Sequence, residues 1–215
     1  MPSFTPRIIL AWALLLAPAA GSRADVYKNF AELSSAAASG KDYRVVVEDR
    51  KAPVTVFAIH GGLIEPGTAE IARALAGSDW NLYVFEGLAP GRPSRLHVTA
   101  ARFDEPSALS LAGRSLLGVS IHGQKGPGDS ACVGGGNASL RRAAAEALSK
   151  AGFPSEEPCG RLAGKSPSNI VNRPKNRGLQ LELTAGLIRG LLKDPGRMRL
   201  FCGALRGALR PFLRP

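Results

Sequence analysis

The chain has 215 residues, 45% of them hydrophobic, enough to build one domain around a substantial core. Its formal charge of +11 favours anionic partners, but aromatics make up only 6% of residues and do not interleave with basic ones, so nucleic acid is not an expected partner. Three cysteines without paired spacing exclude a thiolate zinc site and allow at most one intramolecular disulfide.

At the amino terminus, Arg7 precedes the apolar run IILAWALLLA, and Ser22-Arg23-Ala24 offers a small-x-small cleavage site before Asp25. Residues 1–24 therefore read as a secretory signal peptide, with an uncleaved anchor as the alternative. The run is short for a membrane span, and no cysteine near the cleavage site could accept a lipid. The expected product, residues 25–215, is secreted or periplasmic, without a stable membrane span. Loss of Arg7 and Arg23 lowers the formal charge from +11 to +9.

Strands are predicted over Tyr43–Glu48, Val54–His60, Leu82–Glu86, Arg95–Thr99, Leu116–His122, Ala131–Gly134 and Leu179–Leu183. The run VTVFAI is β-branched and aromatic, and delivers His60 at its carboxyl end, where α/β sheets place their sites. The following HGGLIEPGT turns at Gly61-Gly62 and again at Pro66-Gly67, so Glu65 can fold back toward the imidazole. Thr68 reads as the N-cap of a helix over Ala69–Ala76, closed by Gly77. His122 ends its own apolar run against a glycine, whereas His97 sits inside RLHVTA and reads as structural or as a support for a ligand. A second helix is expected over Ser139–Ala151, ended by Gly152. Pro154–Arg177 reads as a long ordered loop. The tail from Ile188 holds seven arginines or lysines among leucines. Pro195-Gly196 divides it into two amphipathic helices, which could bind a membrane surface or, more plainly, pack on the domain. A disulfide between Cys132 and Cys159 is the preferred pairing.

Zinc accepts neutral imidazole and carboxylate, and a catalytic zinc usually takes three protein ligands. His60, Glu65 and His122 together form such a set, although any one histidine could equally be hydrogen-bonded without a metal. In GLQLEL, alternation sends Gln180 and Glu182 to one face and the leucines to the other. On pattern alone, Glu182 could serve a site or face solvent.

HGGLIEPGT, NLYVFEG, LHVTAARFDEP, VSIHG, NIVNR and GLQLEL occur in the order that resembles the poly-γ-glutamate hydrolases, and the resemblance runs from Tyr27 to about Leu183. It implies a single α/β domain with a mixed central sheet flanked by helices, similar to the zinc carboxypeptidases, and a Zn2+ hydrolase cutting γ-glutamyl amide bonds. It also implies His60, Glu65 and His122 as zinc ligands and Glu182 as the catalytic glutamate. Because each residue of such a polymer carries a free α-carboxylate, Arg173 is expected to grip one bidentately, with Asn172 assisting. Val171 and Ala100-Ala101 depart from the family pattern. Asp104, Glu105 and Glu86 fall in matching motifs as supports, substrate contacts or caps. A related γ-glutamyl peptidoglycan-peptide hydrolase, or a basic non-enzymatic module binding anionic polymers or membranes, is the alternative reading.

Overall fold

The computed structural model describes Met1 and residues 25–91, 93–160 and 162–213, so the expected leader falls outside the described residues. The hydrophobic runs become strands β1 (Tyr43–Glu48), β2 (Val54–Gly62), β3 (Asn81–Gly87), β4 (Leu117–Gln124), β5 (Ala131–Gly134), β6 (Ser155–Glu156) and β7 (Gly178–Thr184). They form one seven-stranded mixed sheet in the order β1-β3-β2-β4-β7-β5-β6. Its centre, β3-β2-β4-β7, is parallel, while β1 and β5 pair antiparallel to their inner neighbours. The expected α/β sheet with helices on its faces is the observed architecture.

Period-two alternation gives the sheet two apolar faces. Val54, Val56, Leu82, Val84, Val119, Ile121, Leu179 and Leu181 point to one face, which is covered by α2 (Thr68–Ala76), α4 (Ala138–Lys150), α5 (Ala185–Lys193) and α6 (Pro195–Leu209). Phe57, Ile59, Tyr83 and Phe85 point to the other, under α1 (Phe30–Ala36) and α3 (Pro106–Arg114). No described helix is long and apolar enough to cross a membrane.

The structure departs from the expected elements at several points. Pro93–Leu96 is a 3-10 turn, and residues 97–99 are irregular, so the Arg95–Thr99 strand is not formed. Three of those residues, His97, Val98 and Thr99, are committed to side-chain and carbonyl contacts rather than a ladder. Helix α2 begins one residue early: Gly67, at φ +94°, is its N-cap, while the Thr68 hydroxyl donates to the Glu65 carbonyl at 2.8 Å. Helix α3 arises from FDEP, where Glu105 accepts from the Ala108 N–H at 2.8 Å and Pro106 starts the first turn.

Asp194 caps α6, and the tail helices bury Leu187, Leu191, Phe201, Leu205 and Leu209 against the sheet side. Arg206 lies over the Trp80 ring at 4.0 Å and donates to the Leu75 carbonyl, and Phe201 meets Phe153 edge-on at 5.2 Å. Cys132 and Cys159 are bonded, tying the loop after β6 to β5. Because Phe201 is fully buried, Phe201→Ala should lower stability by about 3–5 kcal/mol, read as a lower midpoint in urea unfolding with an unchanged denaturant slope.

Candidate active site

An extra residue in β2 aims His60. Between Ala58, opposite Val84, and Gly61, opposite Glu86, β2 advances three residues while β3 advances two. This bulge puts Ile59 and His60 on the same face, whereas strict alternation would send His60 toward α2. On β4, His122 projects to that face two residues beyond Ser120. The two Nδ1 atoms come within 3.1 Å. His60 Nε2 lies 2.9 Å from the Val98 carbonyl, to which it donates; in the neutral ring this leaves Nδ1 with the lone pair that a metal would need.

Glu65 reaches the pair from the loop after β2. Gly62, at φ +64°, turns the chain so closely over β3 that a Cβ would lie 2.5 Å from the Gly87 carbonyl. The Glu65 N–H then donates to the His60 carbonyl at 2.8 Å. Its Oε1 stands 2.9 Å from His60 Nδ1, and its Oε2 accepts from the Gly123 N–H at 2.8 Å and lies 3.5 Å from His122 Nδ1. Burial opposes ionisation of Glu65, but the two imidazoles outweigh it and hold the carboxyl far below its usual range.

Glu182 stands on β7 directly beside His122 of β4. Burial, aided by the Glu65 charge and opposed by His122, raises its pKa above the ordinary glutamate value. Gln180 holds it: its Nε2 donates to Glu182 Oε1 at 2.9 Å, and its Oε1 accepts from Asn169 Nδ2 at 2.7 Å. Asn169 thus orients the glutamate through one amide. No local pattern marks Asn169, the first asparagine of NIVNR, for this role, although Gln180 shares a face with Glu182.

Asn172 does not take the expected part. Both its N–H donors go to the carbonyls of Gly164 and Ser166, each at 2.8 Å, and its oxygen accepts from the Gly136 N–H at 2.7 Å. No donor remains for a carboxylate. Arg173 is exposed, donates through Nε to the Ser168 carbonyl at 3.3 Å, and lines a groove of about 330 Å³ with Lys28, Arg102 and Phe103. The other motif acids are engaged within the fold, and Asp104 also lines that groove. Asp104 accepts from the Phe30 N–H at 2.7 Å, Glu105 caps α3, and Glu86 pairs with Arg44 and Arg73.

The family model described as poly-gamma-glutamate hydrolase matches residues 27–199. The chain belongs to the poly-gamma-glutamate hydrolase family. Among curated relatives, UPF0714 protein YndL of Bacillus subtilis (strain 168) is 39% identical over 173 residues, 78% of this chain and 67% of that protein. The SPbeta prophage-derived UPF0714 protein YoqZ of the same organism is 36% identical over 180 residues, 83% of this chain and 65% of its own length. The chain thus spans about two thirds of these relatives. A bacteriophage poly-gamma-glutamate hydrolase superposes with TM-score 0.82 at 30% identity, covering 88% of this chain and 98% of the phage chain. The zinc-free form of YndL superposes with TM-score 0.79 at 36% identity, covering 87% and 98%.

In this family member, ligand atoms of His60, Glu65 and His122 all lie within 4.8 Å of one another. Two imidazoles and a carboxylate are donors of the kind zinc takes, and separations near 3 Å suit atoms about 2.0–2.2 Å from one ion. Burial disfavours charge on His122, but Glu182 and Glu65 overcome it and lift its pKa to about 9. A histidine whose pKa rises on folding contributes its full stabilisation below its unfolded value of about 6.5, and that contribution is lost as pH rises through the folded value. The metal-free protein should therefore lose roughly 3 kcal/mol from this group between about pH 6 and about pH 10. His122→Gln should flatten that slope in urea unfolding.

Proposed function

We propose that the chain is an exported zinc hydrolase that cleaves the γ-glutamyl amide bonds of poly-γ-glutamate. The observation that carries this reading is the convergence of His60, Glu65 and His122 beside Glu182 at the carboxyl ends of β2, β4 and β7. Family membership supplies the substrate class. The signal-like leader and the Cys132–Cys159 bond, which suits an oxidising compartment, support export.

His60 Nδ1, His122 Nδ1 and the Glu65 carboxylate would hold the metal. Zinc bound there supplies Lewis-acid polarisation of the scissile carbonyl and makes water a nucleophile near neutral pH. Glu182 accepts a proton from the attacking water and later delivers it to the departing α-amino nitrogen, as the C–N bond breaks and the new C–O bond remains. A carboxylate lifted above its usual pKa is better matched to both halves of that exchange. Gln180 keeps one carboxylate oxygen engaged, so the proton moves on the other. Arg173, exposed on the groove wall, binds an α-carboxylate of the polymer.

The deciding experiment measures zinc content and poly-γ-glutamate chain length with and without a chelator. One zinc per chain and chelator-sensitive shortening are expected. Zinc with cleavage of γ-glutamyl peptidoglycan peptides only would change the substrate, and neither zinc nor cleavage would favour the binding module. Glu182→Gln should keep the zinc and lose turnover by roughly 100- to 10,000-fold. Activity equal to wild type would refute the assigned role. Removing a charge-assisted contact worth about 1.5–3 kcal/mol, Arg173→Ala should raise KM for γ-glutamyl oligomers by roughly 10- to 100-fold while zinc content and kcat stay level.

A further inference from the structure

Asp25 has no part in the chemistry described above, yet its side chain is only 2% exposed. Its Oδ1 accepts from His97 Nδ1 at 2.7 Å, and its Oδ2 accepts from the Thr99 N–H at 2.8 Å and from Arg102 Nη2 at 2.6 Å. Three donors from one short, irregular segment therefore converge on one carboxylate. Among the described residues, no strand pairs with residues 97–100. Besides local turns, the segment is tied by the Ile170 N–H donating to the Ala100 carbonyl at 3.0 Å.

The residue enclosed by those contacts, Val98, presents the carbonyl that accepts from His60 Nε2 at 2.9 Å. The His97 ring also stacks on the His60 ring, with centroids 4.0 Å apart and planes 27° from parallel. The segment thus restrains the same imidazole at its edge and on its face. A carbonyl on one ring nitrogen selects the tautomer and leaves the other nitrogen's lone pair for a metal.

We infer that Asp25 is a positioning residue for His60: its carboxylate clips the 97–102 segment in place, so that the Val98 carbonyl keeps the proton on His60 Nε2 and leaves Nδ1 facing Glu65 and His122. The inference rests on the zinc reading above. It makes the first segment ahead of α1 part of the metal centre's support, joined to it through side chains far away in sequence. Loss of the clip frees the segment to drift, after which either His60 nitrogen can carry the proton and the ring can turn.

The test compares wild type with Asp25→Asn, which preserves shape and keeps the fold if Asp25→Ala does not. Two quantities are read: the zinc dissociation constant, by competition with a chelating dye, and the His60 tautomer in zinc-stripped protein, from long-range proton–nitrogen NMR spectra. In wild type, His60 should be the Nε2–H tautomer. The variants should bind zinc roughly 10- to 100-fold more weakly, with Asp25→Ala the more affected, and should show a mixed tautomer. Wild-type affinity in both variants would overturn the inference, as would weakened affinity with the tautomer unchanged, because the effect would not then run through His60. Wild-type protein that takes up no zinc would overturn the proposed function and this inference with it.

Discussion

The bulge between Ala58 and Gly61 decides which side of the sheet receives an imidazole. Without the additional residue, His60 would enter the face where Ala58 and Val84 meet α2. Gly61 occupies that position instead, and even a Cβ there would stand 3.0 Å from Ala69 Cβ. The close packing of α2 on β2 and the delivery of His60 to His122 are consequences of the same irregularity. Glu65 follows from it too, because its N–H is held by the His60 carbonyl and its carboxylate by the imidazoles.

Two carboxylates, Glu182 buried and Glu65 partly buried, flank the imidazoles, and their surroundings drive them in opposite directions. Glu65 has the two histidines and the Gly123 N–H, a setting that stabilises the anion. Glu182 has one amide donor and a second negative charge nearby, a setting that disfavours it. A permanently charged carboxylate suits a ligand, and one that takes up a proton more readily suits an acid–base group. The difference is local: it comes from the number of donors each carboxylate meets in a region with little water.

The basic composition has more than one use. Arg197 and Arg206 of α6 pair with Asp129 and Asp79 and lie over Phe153 and Trp80, so they fasten the tail helices to the domain. Arg141 is buried and pairs with Glu157. Arg173 is different, because it is exposed, meets no carboxylate among the described residues, and stands on a groove. Net charge by itself could not separate these arginines, since it carries no information about which acid each one meets.

Much of the architecture could be read in the chain. Alternating and β-branched runs marked six of the seven strands, because side-chain period is a local property and burial on both faces demands hydrophobic residues throughout. The same logic put His60 and His122 at strand ends and Glu182 on the face opposite its neighbouring leucines. Contacts between distant segments were not written in any local pattern. The bulge depends on how β2 registers with β3. The choice of Asn169 over Asn172 beside Gln180 depends on how the loop before β7 folds across the sheet. RLHVT looks like a strand by propensity, but Asp25 and His60 claim its polar and carbonyl groups, and among the described residues no neighbouring strand offers a ladder. Sequence determined which residues could lie at the carboxyl edge of the sheet; tertiary structure decided which of them face one another, because hydrogen-bond partners are set by approach in space and not by separation along the chain.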